Sequence, residues 1–258
     1  GMEYDIPIYG TMAHSFVQAH KDEKTAFEHF AMAQPKNAVL LIDTYDTEAA
    51  ARKVVALAPS LKQQGIMVKA VRLDSGDLAD HARKVRRILD EGGLPQAQIL
   101  ASGNLDEYQL RRLIAGGAPI DSFAVGTAMT TSADAPSLDC AYKLQEYAGR
   151  PCRKRSEGKA TWPGRKQVYR QYRRDGRCDY DLVTTVQAPG AGDPLLHPVM
   201  TEGRRLVPAQ KLTELRQRAA TQLALLPNSL RSLECDHPYD VRISQPLQDL
   251  ARVVDQRM

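Results

Sequence analysis

The chain has 258 residues, of which 26% are charged and 43% are hydrophobic, and its formal net charge is +4. This composition is ordinary for a globular protein and excludes a collagen-like, low-complexity or mostly disordered chain. The length fits one large domain or two small ones. The slight excess of basic residues suits an anionic small-molecule substrate and is too small to indicate a nucleic-acid partner.

Cysteine usage and hydropathy indicate the cellular compartment in which the protein is expected. The four cysteines, at positions 140, 152, 178 and 235, show no metal-type spacing, so we expect free thiols in a reducing compartment. No stretch approaches the ~18 consecutive apolar residues of a membrane helix, and the first residues lack the basic and apolar regions of a signal peptide. We therefore expect a cytoplasmic protein with no membrane partner.

The chain begins with apolar runs that predict strands. Residues 6–9 form a short run before a Gly-Thr turn, and residues 38–42 form a longer, continuously apolar one. Residues 47–61 then carry apolar side chains at helical spacing, and Thr47 is placed to cap that helix.

The same alternation continues to about residue 130. Further strands are predicted at residues 67–73, 98–101 and 122–125, with helices at residues 78–91 and 106–115. Short connections between alternating strands and helices predict a parallel sheet. No G-x-G-x-x-G motif follows a strand, which argues against a Rossmann sheet. Small and polar residues follow the strands, at the edge where barrels and open α/β sheets place their active sites.

The pattern changes after residue 135. Residues 136–195 contain alternating segments and turn motifs typical of β structure. Residues 196–258 contain two helical patterns, at residues 212–226 and 246–254. We therefore divide the chain into an α/β portion over residues 1–135, a β-rich segment and a helical tail.

Residues that can do chemistry follow the strands. His14 comes after the Gly-Thr turn, and histidine is well suited to act as a nucleophile or proton carrier near neutral pH. Asp43 follows one strand, and Asp74 and Ser75 follow the next. Such residues either hold Mg²⁺ or ribose hydroxyls, or cap the helices that follow. Arg72 ends a buried strand, so it needs an anion, and a bidentate carboxylate is its natural partner.

Two glycine-containing turns and a basic loop complete the set. Ser102 and Gly103 follow one strand, and Gly126 and Thr127 follow a later one. Glycine lets backbone N–H groups approach a ligand closely, so these turns are candidates to hold a phosphate. The basic loop over residues 159–166 is either solvated or a further anion site.

Together these segments resemble the nicotinate phosphoribosyltransferase family. The matching motifs are, in chain order, GTMAHSF, LLIDTYDT, VRLDSGDL, SGNLDE, AVGT, SEGKATWPGRKQVYR, LHPVM and HPYDVR. The resemblance implies an α/β fold: a partial, irregular (β/α) barrel of the type II phosphoribosyltransferase kind, with a C-terminal α+β segment that returns to a neighbouring domain. We expect the family's N-terminal half to be missing.

The resemblance also implies a reaction. Family members join nicotinate to 5-phosphoribosyl 1-diphosphate (PRPP), giving nicotinate mononucleotide and diphosphate for NAD synthesis, with coupled ATP hydrolysis. Mg²⁺ accompanies PRPP and diphosphate, and no metal site built by the protein alone is implied.

Individual residues match functional positions of the family. His14 matches a transiently phosphorylated histidine. Thr11 and Arg72 match contacts to nicotinate, and Thr127 matches a contact to the phosphoribosyl group. Further candidates for PRPP or phosphate at the same edge are Asp43, Asp74, Ser75, Ser102, Gly103 and Gly126.

Two other readings of the sequence stay open. The chain could be a truncated, inactive or partner-dependent fragment, completed by the missing N-terminal half in trans, whereas the family's dimeric active sites favour a homodimer. Alternatively, a type II phosphoribosyltransferase could act on another pyridine, nicotinamide or quinolinate. Quinolinate has two carboxylates and should need more cationic residues around the base, so these motifs fit nicotinate better.

Overall fold

The structure is a computed structural model that describes residues 1–138, 140–235 and 237–257. It divides into two compact units, one over residues 1–138 and one over residues 139–258. Within the described ranges, the helices are too short or too polar to cross a membrane.

A four-stranded sheet forms the centre of the first unit. Its strands are β1 (Ala38–Leu41), β2 (Val68–Leu73), β3 (Gln98–Ala101) and β4 (Ser122–Phe123), which pair in that order. All three pairings are parallel, which confirms the predicted parallel sheet. The carboxyl ends of the strands therefore lie along one edge, and the loops that follow them converge there.

Helices connect and cover these strands. They are α1 (His14–Gln18), α2 (Glu23–Ala33), α3 (Thr47–Gln63), α4 (Leu78–Glu91), α5 (Glu107–Ala115) and α6 (Thr127–Thr131). The helices α1 and α2, which precede β1, are not among the predicted elements.

Aspartate side chains begin four of these helices by accepting a backbone N–H of the first turn. The prediction that Thr47 caps α3 is wrong, because Thr47 is itself the first helical residue and is buried. The carboxylate of Asp46 accepts the N–H of Ala49 at 2.7 Å instead. The capping residues are Asp22, Asp46, Asp77 and Asp106.

The sheet and its helices share one apolar core. Leu40 on β1, Leu73 on β2 and Ile99 on β3 are fully buried, and Leu61 on α3 and Leu89 on α4 pack into the same cluster. Each such side chain stabilises the fold by about 1.5–3 kcal/mol relative to leaving it exposed. The core therefore fixes where the strand ends lie.

Residues 6–9 do not form the predicted strand. Within the described chain they join no sheet, and Ile6, Ile8 and Tyr9 are exposed. Pro7 has no N–H to donate to a neighbouring strand, which weakens any ladder through this run.

The second unit is built on a mainly antiparallel sheet. A short hairpin joins β5 (Glu146–Tyr147) to β6 (Arg150–Pro151). The longer strands β7 (Lys166–Tyr172) and β8 (Cys178–Thr185) pair antiparallel, and β9 (Asp193–Pro194) adds to the free edge of β7.

The C-terminal part returns to this sheet. Its elements are β10 (Met200–Thr201), β11 (Arg204–Arg205), α7 (Leu212–Leu225), a 3₁₀ turn (Asn228–Arg231), β12 (Val241–Ile243) and α8 (Gln245–Asp255). Because β12 pairs parallel to β8, the tail predicted as helical is only partly so.

A buried ion pair holds the second sheet to its return segment. The guanidinium of Arg170 donates to both carboxylate oxygens of Asp181, each at 2.9 Å, and the hydroxyl of Tyr239 donates to the same carboxylate at 3.1 Å. Burial, together with the Asp181 carboxylate, raises the pKa of Tyr239 to about 12. Asp181 thus joins β8 to β7 through Arg170, and to the residues that lead into β12 through Tyr239.

Candidate active site

The guanidinium of Arg72 lies at the centre of the sheet edge and contacts three separate segments. Its Nε donates to the hydroxyl of Ser102 at 2.9 Å. Its Nη1 donates to the hydroxyl of Thr11 at 2.6 Å and to the carbonyl of Met12 at 3.3 Å. Its Nη2 donates to Oδ1 of Asp74 at 3.1 Å. One cation therefore joins the residues before α1 to the ends of β2 and β3.

These contacts determine how many N–H groups of Arg72 remain free to bind a ligand. A guanidinium carries five N–H groups, and the contacts to Thr11, Met12, Ser102 and Asp74 use all but one, on Nη2. The anion that a buried strand-end arginine requires is supplied within the chain, through a single oxygen of Asp74. A ligand that used the full fork of Arg72 would have to displace some of these contacts.

The Asp74 carboxylate is stabilised in its charged form. Burial alone would raise the pKa of this carboxyl, but hydrogen bonds from Ser102 and Arg72 and the charges of Arg72 and His14 hold the pKa below its ordinary value. Asp74 therefore stays a carboxylate well into the acid range.

Asp43 fastens the end of β1 to the loop after β2. Its Oδ2 accepts the backbone N–H of Asp74 at 3.0 Å and the hydroxyl of Ser75 at 2.5 Å. The side chain is only 2% exposed, and its Oδ1 has no hydrogen-bond partner among the described residues. A buried acceptor without a donor costs free energy, and it can be satisfied by a ligand or a cation.

His14 faces both carboxylates from the start of α1. Its Nε2 lies 3.5 Å from Oδ2 of Asp74 and 3.9 Å from Oδ1 of Asp43. Its Nδ1 lies 3.0 Å from the hydroxyl of Thr44. Sequence reasoning missed this contact, although Thr44 lies in the LLIDTYDT motif, because the two residues are 30 positions apart. With 39% of its side chain exposed, His14 is both held in place and accessible.

Gly103 allows the loop after β3 to lie directly against the loop after β2. Its φ is +91°, and a Cβ at this position would overlap the carbonyl oxygen of Asp74. Only glycine satisfies both the left-handed backbone and the close approach.

The glycine-containing turns share a cavity of about 480 Å³. Gly103, Gly126 and Thr127 all line it. Thr127 is exposed and begins α6. This volume is within the range of small-molecule sites. Gly103, which lines the cavity, directly follows Ser102, a contact of Arg72.

Comparisons with known proteins show which family the chain resembles. Nicotinate phosphoribosyltransferase pncB2 of Mycobacterium tuberculosis is 45% identical over 254 residues, which is 97% of this chain and 54% of that protein. Nicotinate phosphoribosyltransferase of Bacillus subtilis is 41% identical over 177 residues, 66% of this chain and 36% of that protein. The chain is homologous to part of a nicotinate phosphoribosyltransferase. It spans about half the length, or less, of these relatives.

Structural comparisons and a family model extend the match. Human nicotinic acid phosphoribosyltransferase superposes with a TM-score of 0.81 at 24% identity, covering 99% of this chain and 63% of that one, which shows a shared fold. Nicotinate-nucleotide pyrophosphorylase of Pyrococcus furiosus gives a TM-score of 0.68 at 28% identity, covering 86% of this chain and 56% of that one. The model of the nicotinate phosphoribosyltransferase C-terminal domain matches residues 188–251, in the second unit.

The basic loop and the cysteines lie in the second unit, outside this cluster. The ammonium of Lys166 donates to the carbonyls of Trp162 and Gly164, at 2.8 and 2.5 Å, and burial lowers its pKa. Lys166 is thus used structurally, whereas Lys159 is exposed. The four cysteines are free thiols, of which Cys178 is buried.

The close approach at Gly103 yields a stability prediction. Gly103→Ala should lower the free energy of unfolding by about 3 kcal/mol or more, because the new methyl group both strains the backbone and displaces the loop at Asp74. Gly93→Ala is the matched control, since Gly93 has a φ of +76° and open space where the methyl would lie; it should lose only about 1 kcal/mol. Urea denaturation measures both, and equal losses would contradict the close approach.

The charge state of Asp74 yields a pH prediction. Because its folded-state pKa is lowered, Asp74 stabilises the fold above its ordinary pKa, and this stabilisation is lost as pH falls through the folded-state value. The melting temperature of Asp74→Asn should therefore lie below that of the parent at about pH 6, and the gap should narrow as pH falls below about 4, the ordinary pKa of an aspartate.

Asp134→Asn, at an exposed aspartate, is the control and should follow the parent at every pH. A gap between Asp74→Asn and the parent that stays constant with pH would show that Asp74 gains nothing from its charge.

Proposed function

We propose that the protein transfers the phosphoribosyl group of PRPP to nicotinate, forming nicotinate mononucleotide and diphosphate in NAD biosynthesis. The observation that carries the proposal is the convergence of Thr11, His14, Arg72 and Asp74 at one sheet edge, in a chain homologous to nicotinate phosphoribosyltransferases. We further propose that the parallel sheet is part of an irregular α/β barrel of the type II kind.

Nicotinate recognition is assigned to Thr11 and Arg72. The hydroxyl of Thr11 accepts from Nη1 of Arg72 at 2.6 Å and donates to the carbonyl of Met12 at 3.3 Å. A carboxylate placed beside it would accept the remaining N–H of the guanidinium and would take the hydroxyl proton from the long Met12 contact. Charge-assisted hydrogen bonds of this kind favour an acid over the neutral amide of nicotinamide. Asp74 holds the guanidinium in this position.

The phosphoribosyl group is assigned to the cavity between Gly103 and Thr127. Backbone N–H groups and the exposed Thr127 hydroxyl supply donors for a phosphate there. As diphosphate leaves, positive charge develops on the ribose, and the carboxylates at the sheet edge stabilise it electrostatically.

The carboxylates also fit Mg²⁺ bound together with PRPP. Mg²⁺ is usually held by one or two carboxylates plus substrate phosphates rather than by a cage of protein ligands, and the described residues form no group of three or more metal-ligating side chains. Asp43, whose buried Oδ1 lacks a donor, and Asp74 are the residues that would hold it. When bound, Mg²⁺ neutralises charge on the leaving diphosphate.

His14 is assigned as the residue that couples ATP. In that step an imidazole nitrogen attacks the terminal phosphorus of ATP, an N–P bond forms, and ADP leaves with the electrons of the broken P–O bond. The phosphoryl group would then add negative charge beside Asp43 and Asp74, which changes the affinity of the site for PRPP and diphosphate.

Steady-state assay of the purified chain tests the substrate assignment. With PRPP, Mg²⁺ and ATP present, kcat/KM for nicotinate should exceed that for nicotinamide or quinolinate by about 100-fold or more, since the site binds one carboxylate. Chromatography of nicotinate mononucleotide measures turnover.

The possible outcomes separate the candidates. Preference for nicotinamide or quinolinate would overturn the assigned substrate. Absence of both turnover and PRPP binding would overturn a free-standing enzyme and favour a chain that depends on a partner.

Replacement of His14 tests the role of ATP. His14→Ala should abolish the stimulation of turnover by ATP, so that rates with and without ATP become equal, while the slower ATP-independent turnover is retained. His197→Ala, at an exposed histidine of the second unit, should keep the stimulation. Equal loss of both activities in His14→Ala would argue against coupling through this residue.

A further inference from the structure

A second cavity, of about 290 Å³, lies in the second unit beside the β5–β6 hairpin and the end of α8. No residue assigned above to the reaction contributes to it. Its lining residues are Tyr147, Arg150, Pro151, Cys152, Arg153, Val254 and Arg257.

The charge around this cavity is strongly one-sided. Arg150, Arg153 and Arg257 line it, and no acidic residue does. Among the described residues, the one carboxylate paired with any of these arginines belongs to Asp255, whose Oδ1 is 3.7 Å from Nε of Arg153 and also 3.7 Å from Nε of Arg155. The Asp255 carboxylate is thus shared between Arg153 and Arg155, and no described carboxylate pairs with Arg150 or Arg257. Like charges around one cavity repel one another unless an anion is bound.

Arg153 is fixed in place without being satisfied. Only 15% of its side chain is exposed, and its guanidinium carbon lies 5.7 Å from the centre of the Trp162 ring. Its buried Nε faces Oδ1 of Asp255 at 3.7 Å, too far for a hydrogen bond, and neither atom has another hydrogen-bond partner among the described residues. A buried guanidinium N–H without an acceptor is rare in folded proteins.

We propose that this arginine-lined cavity is a binding site for a phosphate-type oxyanion, either inorganic phosphate or diphosphate. Guanidinium groups match phosphate oxygens in geometry and charge. A carboxylate can be satisfied by one arginine, whereas a tetrahedral anion has enough acceptors for three arginines, here two from the segment at β6 and one that follows α8. The volume is at the lower limit of ~300 Å³ for small-molecule sites, which suits a small ion.

This site is independent of the proposed reaction. Its residues belong to residues 139–258, whereas the candidate active site belongs to residues 1–138. Binding at the cavity therefore requires neither nicotinate nor PRPP, and it can be measured on a chain that shows no turnover.

Calorimetric titration of the full chain with sodium phosphate, and separately with sodium diphosphate, tests the proposal at constant ionic strength. The double variant Arg150→Gln/Arg257→Gln should weaken binding about tenfold or more, because charge-assisted contacts to phosphate are among the strongest hydrogen bonds. Both side chains are exposed, so the fold should survive, and circular dichroism checks this.

Two control variants separate this site from others. Arg204→Gln removes an exposed arginine of β11 away from the cavity lining and should leave binding unchanged. Thr127→Val, in the other unit, should retain the component of binding that the double variant loses.

Each outcome decides the proposal. If the double variant loses phosphate binding and the control variants keep it, the cavity is an oxyanion site. If the double variant loses binding of diphosphate but not of phosphate, the cavity is a site for diphosphate. No binding of either anion, binding unaffected by the double variant, or equal weakening by Arg204→Gln would overturn it.

Discussion

The requirement to satisfy a guanidinium at the end of a buried strand organises the first unit. Arg72 cannot lose its charge, and its N–H groups must find acceptors where little water reaches. It finds them in Thr11, Ser102 and Asp74, which belong to three separate stretches of chain. The residues before α1 and the loops after β2 and β3 are therefore held by the same cation.

A second constraint acts through negative charge. Asp43 and Asp74 both face Nε2 of His14, and Asp43 is nearly inaccessible. Two carboxylates at close range are tolerated because Arg72 and the Ser102 hydroxyl neutralise Asp74, while Ser75 and the N–H of Asp74 bind Asp43. After these contacts, the buried Oδ1 of Asp43, the partly exposed imidazole of His14 and one N–H of Arg72 remain available. Together these groups can receive a cation, a phosphoryl group and a carboxylate.

The arginines of this protein differ in whether a carboxylate of the chain pairs with them. In the second unit, Arg170 forms a full two-oxygen pair with Asp181, so its binding capacity is largely used inside the protein. Arg150, Arg153 and Arg257 have no comparable partner within the described residues. Unsatisfied cations around a cavity are more informative about a ligand than paired ones, since pairing already explains why the residue is there.

The sequence by itself determined the parallel sheet, and with it the convergence of the strand-end motifs. Apolar runs joined by short connections to helices leave little other choice, and parallel strands necessarily end at one edge. The helix at Leu78–Glu91 and the strand at Gln98–Ala101 have the predicted bounds for this reason. The resemblance to nicotinate phosphoribosyltransferases was also visible in the sequence, because each of its motifs is contiguous in the chain.

Only the tertiary structure decided which partners these residues take. The sequence indicates that Arg72 needs an anion, but it does not indicate which residue supplies that anion. Asp74 meets that need through one oxygen, and the other contacts of Arg72 come from positions 30 to 61 residues away. The burial of Asp43, the overlap that makes Gly103 necessary and the cavity shared by Arg150 and Arg257 are likewise invisible in the sequence. Hydrogen bonds and cavities depend on shifts of about 1 Å in packing, which local patterns do not encode.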